Sequence, residues 1–129
     1  MTDLVKDAEA RAPDTRFELQ FDIGLLTPDD VVANTIYRSI QESLTNILKH
    51  AHAISVRISV GFQQSKIVMS VIDDGIGFSD STALGRGLTG MRERVRALGG
   101  TFTFERIGGE TVVSCHIPVN QTAEHLDQS

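Results

Sequence analysis

Hydrophobic and polar positions change period several times along the chain, and each change marks an element. Phe17, Leu19 and Phe21 alternate with Arg16, Glu18, Gln20 and Asp22, the two-residue period of a half-buried strand. Thr27-Pro28-Asp29-Asp30 then reads as a helix start, with Thr27 as N-cap, Pro28 in the first turn and two acids behind it. From there to about Ala51 the apolar residues Ile36, Ile40, Leu44, Ile47 and Leu48 recur at three- and four-residue steps, which predicts one buried helix face. Ile54, Val56, Ile58, Val60 and Phe62 return to strict alternation. Gln63-Gln64-Ser65 turns the chain into Lys66–Asp73, whose nearly continuous apolar run predicts a central strand. A Gly-rich polar stretch, Asp73 to Gly90, leads into a short amphipathic helix marked by Leu88, Met91, Val95 and Leu98 and closed by Gly99-Gly100. Thr101–Arg106 and Thr111–Ile117 predict a last hairpin around Gly108-Gly109.

Alternating strands interleaved with amphipathic helices predict an α/β two-layer sandwich, a sheet covered by helices on one face. The domain is expected over residues 14–119. Residues 1–13, polar and ending at Pro13, read as a linker or the tail of a preceding helical domain. Residues 120–129 read as a flexible C-terminal tail.

Composition narrows the function classes. The 129 residues carry a formal charge of −5 and no Trp, so a basic stripe or stacking platform for nucleic acid is not expected. No apolar run approaches the roughly 18–20 residues of a membrane span, and the first residues lack a secretory signal. A soluble, cytoplasmic domain is expected, with a membrane-anchored parent left open. The single Cys115 excludes an internal disulfide; alternating with Val113 and Ile117, it reads as core.

Three features carry candidate chemistry. On the first long helix, Glu42, Asn46, Lys49 and His50 fall on one side at four-, three- and four-residue spacings. Such a group is either a solvated face or a holder for a metal–phosphate unit, since Asn and Glu oxygens suit Mg²⁺ and Lys or His meets phosphate. In Val71-Ile72-Asp73-Asp74-Gly75-Ile76-Gly77-Phe78, an apolar strand ends in acids followed by glycines that let a ligand approach the backbone. The bland reading is an Asp-Gly turn. Gly85-Arg86-Gly87-Leu88-Thr89-Gly90 has the bare spacing of a dinucleotide fingerprint, but a polar loop precedes it where a strand would be needed. A phosphate cradle fits; a nicotinamide cofactor does not.

In this order the three features resemble the N, G1 and G2 boxes of the GHKL ATPase superfamily, which includes histidine kinases, type II topoisomerases, a heat-shock chaperone and MutL. Gln41–Ala51 resembles the N-box, Asp73–Phe78 the G1 box, and Gly85–Val95 followed by Leu98-Gly99-Gly100 the G2 box. That last form is similar to sensor kinases that partner LuxR/NarL-type response regulators, such as the nitrate and hexose-phosphate sensors. The resemblance spans about residues 15–119 and implies a Bergerat fold with a mixed sheet and a short ATP lid. It implies ATP and Mg²⁺ as cofactors and protein histidine kinase activity.

Residue by residue, the resemblance makes Asn46 the Mg²⁺ ligand and Asp73 the acceptor for the adenine amino group, with Gly75 and Gly77 letting the base lie close. Lys49 and His50 would flank the nucleotide, and Thr111 would support Asp73. Gly85, Gly87, Leu88 and Gly90 would bring the lid backbone to the phosphates. Glu42 matches a catalytic Glu that polarises water in hydrolysing members. In a kinase the neutral imidazole is already nucleophilic, so Glu42 is expected either as a base or to orient a metal-bound water. Two departures stand out. Only seven residues, Phe78–Leu84, lie between Gly77 of the G1 box and Gly85 of the G2 box, and no His-bearing helical dimerisation segment is present. The phosphoacceptor domain of a homodimeric parent is expected to supply that histidine. A stand-alone anti-sigma-factor serine kinase is the nearest rival; Met91–Gly100 favours the sensor-kinase form. A silent nucleotide-binding module is the other rival, and the intact Asn46 and Asp73 speak against it.

Overall fold

A computed structural model of the chain describes residues 2–51, 53–75 and 81–119. The elements run α1 (Thr2–Arg11), β1 (Arg16–Asp22), α2 (Asp30–Asn46), a π-helical turn (Ile47–Ala51), β2 (Ser55–Gln63), β3 (Lys66–Asp73), α3 (Ser81–Ala97), β4 (Thr101–Ile107) and β5 (Glu110–Pro118). The five strands form one mixed sheet in the order β1-β2-β3-β5-β4; β1 is parallel to β2 and every other pair is antiparallel. β3 is central, as its apolar run predicts.

Register explains why one face is covered. Opposed residues of neighbouring strands share a face, so Ile58, Val71, Val113 and Phe104 form one transverse rung, and Val60, Met69, Cys115 and Phe102 the next. These rungs meet the buried side of α2, where Val32, Ile36, Ile40 and Leu44 repeat at four-residue steps. The opposite face carries a row of hydroxyls, with Ser59 and Ser70 2.6 Å apart and Thr103 and Ser114 2.6 Å apart. Both β-hairpins close through two left-handed residues, the geometry that matches strand twist. At one they are Gly108 (φ 56) and Gly109 (φ 82); at the other, Gln64 (φ 53) and Ser65 (φ 63) adopt it without glycine. α3 ends at Gly99 (φ +77), and a Cβ on Gly100 would lie 2.4 Å from the His116 carbonyl oxygen, so β4 can start there only from glycine.

Residues 2–11, expected as a linker or the tail of a preceding helical domain, form helix α1, with Val5 and Ala8 in the core and the Tyr37 hydroxyl donating to Asp3 at 3.0 Å. Three expectations change. The N-cap of α2 is Asp29, not Thr27: its carboxylate accepts from the Val32 amide at 2.9 Å, the bond an N-cap makes two or three residues into the helix. The helix does not stay α-helical to Ala51 but widens into a π turn after Asn46. Finally, helix begins at Ser81, so the Gly-rich segment before Leu88 is helical and not loop.

Candidate nucleotide-binding site

The apolar rungs of the covered face stop one step short of the sheet's end. The last rung, set by the pairings Val56↔Asp73, Asp73↔Thr111 and Arg106↔Thr111, is polar at three of its four positions. Asp73 continues the inward parity of Ile67, Met69 and Val71 and is 2% exposed; Thr111 beside it is 1% exposed. A carboxylate so placed has lost most of its water. Burial pushes the Asp73 carboxyl above its ordinary value, against the Gly75 amide and the Arg106 guanidinium, which favour the ionised form. The Gly75 amide donates to Asp73 Oδ1 at 2.9 Å. Arg106 donates from Nη1 to Thr111 Oγ1 at 2.6 Å and from Nη2 to the Gly75 carbonyl at 2.7 Å.

Adjacent Asp74 does different work. Its Oδ1 accepts from the Ile54 and Ser55 amides at 2.8 and 2.9 Å, tying the end of β3 to the start of β2. Of two consecutive acids, one faces the covered layer and one braces the sheet.

The other motifs reach the same end of the sheet. β2 runs antiparallel to β3, so its first residues adjoin Asp73, and only residues 52–54 separate them from the π turn that follows Asn46. Glu42 and Asn46 are both half-buried near the end of α2, one helical turn apart and hence on one side of it. Lys49 is exposed and lies, with His50, in the π turn, whose wider winding breaks the α-helical spacing used to group all four. The His50 side chain and all of Gly77 lie outside the described residues. Gly75 is buried.

The G2 segment departs most from expectation. Gly85, Gly87 and Gly90 lie within α3, where amides beyond the first four already donate to carbonyls one turn back; this form presents no cradle from those three glycines. Leu88 is 7% exposed and shares the buried side of α3 with Met91 and Val95, so it packs as core. Arg106 and Asp74 were not expected at all. The legible signal for Arg106 was its parity, a charge at the inward position after Phe102 and Phe104.

A buried carboxylate and a buried hydroxyl side by side can accept from and donate to a purine edge. Among the described residues no cluster of three His, Cys, Asp or Glu could hold a metal. Asn46 offers a carboxamide oxygen, and Mg²⁺ commonly combines one or two protein oxygens with a ligand's phosphates and water.

The family model described as histidine kinase-, DNA gyrase B- and HSP90-like ATPase matches residues 31–121. The chain belongs to this ATPase family. It is 51% identical over 86 residues to the signal transduction histidine-protein kinase/phosphatase UhpB of Salmonella typhimurium, which covers 65% of this chain and 17% of that protein. With the oxygen sensor histidine kinase NreB of Staphylococcus carnosus it shares 34% identity over 95 residues, 70% of this chain and 27% of that one. Among solved structures, the blue-light activated histidine kinase of Erythrobacter litoralis EL346 superposes with a TM-score of 0.76 at 21% identity, covering 93% of this chain and 44% of that one. The fold class expected for this ATPase family, a mixed sheet with helices on one face, is the one observed. The chain spans well under a third of the length of these curated relatives. Among its described residues no helix is long and apolar enough to cross a membrane.

Proposed function

We propose that this domain supplies Mg²⁺-ATP for phosphoryl transfer to a histidine on a separate helical domain of a cytoplasmic-facing sensor kinase, whose phosphate passes to a LuxR/NarL-type response regulator. The observation that carries the reading is the polar rung at the sheet's end, where buried Asp73 lies beside buried Thr111 in a chain of this ATPase family. Asp73 accepts from the adenine amino group, with Gly75 and, by its place in the sequence motif, Gly77 leaving room for the base. Asn46 would hold Mg²⁺, which would neutralise charge on the phosphates; Lys49 and His50 would contribute from their places in the motif, and Glu42 would act as a base or orient a water.

The glycines take part by a change of form. Gly costs about 1 kcal/mol relative to Ala in a helix interior, so Gly85, Gly87 and Gly90 make the first half of α3 the easier half to unwind. On binding nucleotide this segment opens and turns its amides to the phosphates. In the transfer itself the imidazole nitrogen forms a bond to the γ-phosphorus as the bond to the bridging oxygen breaks, and ADP leaves. Such chemistry is largely positioning and charge stabilisation.

Incubation with Mg²⁺ and γ-labelled ATP tests this. The chain alone binds nucleotide and takes up almost no label. Addition of a cognate histidine-bearing helical domain, at a concentration that offsets the missing tether, yields an acid-labile, base-stable product. Acid-stable labelling of a separate protein on serine would replace this reading with the anti-sigma-type kinase.

A further inference from the structure

Arg106 is an exposed cation on β4 whose two terminal nitrogens are both committed inward, to the Thr111 hydroxyl and to the Gly75 carbonyl. We propose that Arg106 is a positioning residue that selects the base: it fixes Thr111 as a hydrogen donor toward the purine and holds the turn after β3 in its adenine-accepting shape. This rests on the reading that Asp73 meets the exocyclic amine.

The argument is one of donor and acceptor count. A guanidinium donates and cannot accept, whereas a threonine hydroxyl has one hydrogen and two lone pairs. With Arg106 Nη1 at 2.6 Å, one lone pair of Thr111 is used and its single hydrogen must point elsewhere. Thr111 is 1% exposed, so that hydrogen does not relax into bulk water. The rung then offers an acceptor, Asp73, beside a donor, Thr111. Adenine presents the complement, an amino donor at C6 and an acceptor at N1. Guanine presents the reverse, a carbonyl at C6 and a donor at N1. A hydroxyl free to rotate serves either edge equally; with Arg106 occupying one of its two acceptor positions, Thr111 is biased toward donating and so toward the adenine edge.

The second arm of the clamp acts on the acid. Arg106 holds the Gly75 carbonyl at 2.7 Å, and the Gly75 amide holds Asp73 Oδ1 at 2.9 Å, a continuous chain from cation to carboxylate. Among the described residues, the charges that act on Asp73 are Arg106 from β4, Glu110 from β5 and Asp74, the next residue after β3. Glu110 is paired with Arg57 at 3.1 Å, which leaves Arg106 as the cation that favours ionised Asp73.

Five variants of the 129-residue chain, titrated with ATP and GTP by calorimetry across pH, test the proposal. Arg106→Met narrows the ATP-over-GTP ratio by about tenfold, the order of one buried hydrogen bond, and moves the acid limit of ATP binding to higher pH. Arg106→Lys, which keeps the charge, returns the acid limit toward wild type. Thr111→Val narrows the ratio as Arg106→Met does, and the double variant narrows it no further, because both changes remove the same donor. If Arg106→Met and Arg106→Lys both leave the ratio and the acid limit unchanged while Asp73→Asn still weakens ATP binding at least about tenfold, the order of a lost charged acceptor, the proposal fails and the site stands. If Asp73→Asn binds ATP as wild type does, the site reading itself fails.

Discussion

Replacing Asp73 by Asn separates binding from stability, because the two respond with opposite sign. In the folded chain the Asp73 carboxyl is pushed upward, chiefly by burial. A carboxyl whose folded pKa lies above its unfolded value contributes stability fully only below the unfolded pKa, here near 3.8, and loses it as pH rises through the folded value. At pH 7 the ionised group is therefore a cost to the fold. Asn resembles the protonated acid, and its Oδ1 can still accept from the Gly75 amide, now 2.9 Å from Asp73. Tm of the Asp73→Asn chain should equal or exceed that of wild type. Binding goes the other way. The adenine amine loses a charged acceptor, worth about 1.5–3 kcal/mol, so Kd rises roughly 10- to 150-fold. ATP and ADP should be affected equally, since both carry the same base. Calorimetric titration at pH 7 with thermal melts on the same samples reads both numbers. Unchanged Kd for both nucleotides would remove Asp73 from the site, and a marked fall in Tm would make it a structural acid instead.

Three further outcomes follow from other parts of the molecule. Asn46→Ala should abolish the enhancement of ATP binding by Mg²⁺ while leaving adenosine affinity nearly unchanged; an enhancement that persists places the metal elsewhere. Asp74→Ala leaves the Ile54 and Ser55 amides without their acceptor and should cost about 1–3 kcal/mol in urea unfolding, with base selectivity retained. Cys115, fully buried with its thiol pushed up to about 12, should resist maleimide at pH 8 in the native state and react only in denaturant; rapid native labelling would contradict its place in the core.

The sequence by itself determined the elements, the covered face and the location of the chemistry, because those depend on local periodicity. Phe17 through Phe21 and Ile54 through Phe62 alternate, and alternation alone says which side chains turn toward a core. Ile67 through Ile72 is too nearly continuous an apolar run to show its inward side, and the structure settles it: Asp73 continues the buried set Ile67, Met69, Val71 and Asp74 does not. Only the tertiary structure decided that Asp74 braces β2, because its partners lie 19 and 20 residues away. The same holds for Arg106, whose bond to Gly75 spans 31 residues and exists only once β4 lies beyond β5 in the sheet. α1 is a further case: as a polar decapeptide it has little cause to fold alone, and burying Val5 and Ala8 against the rest of the core supplies that cause. The π turn after Asn46 and the helical glycines of α3 also defied local expectation, as propensity is a weak term per residue.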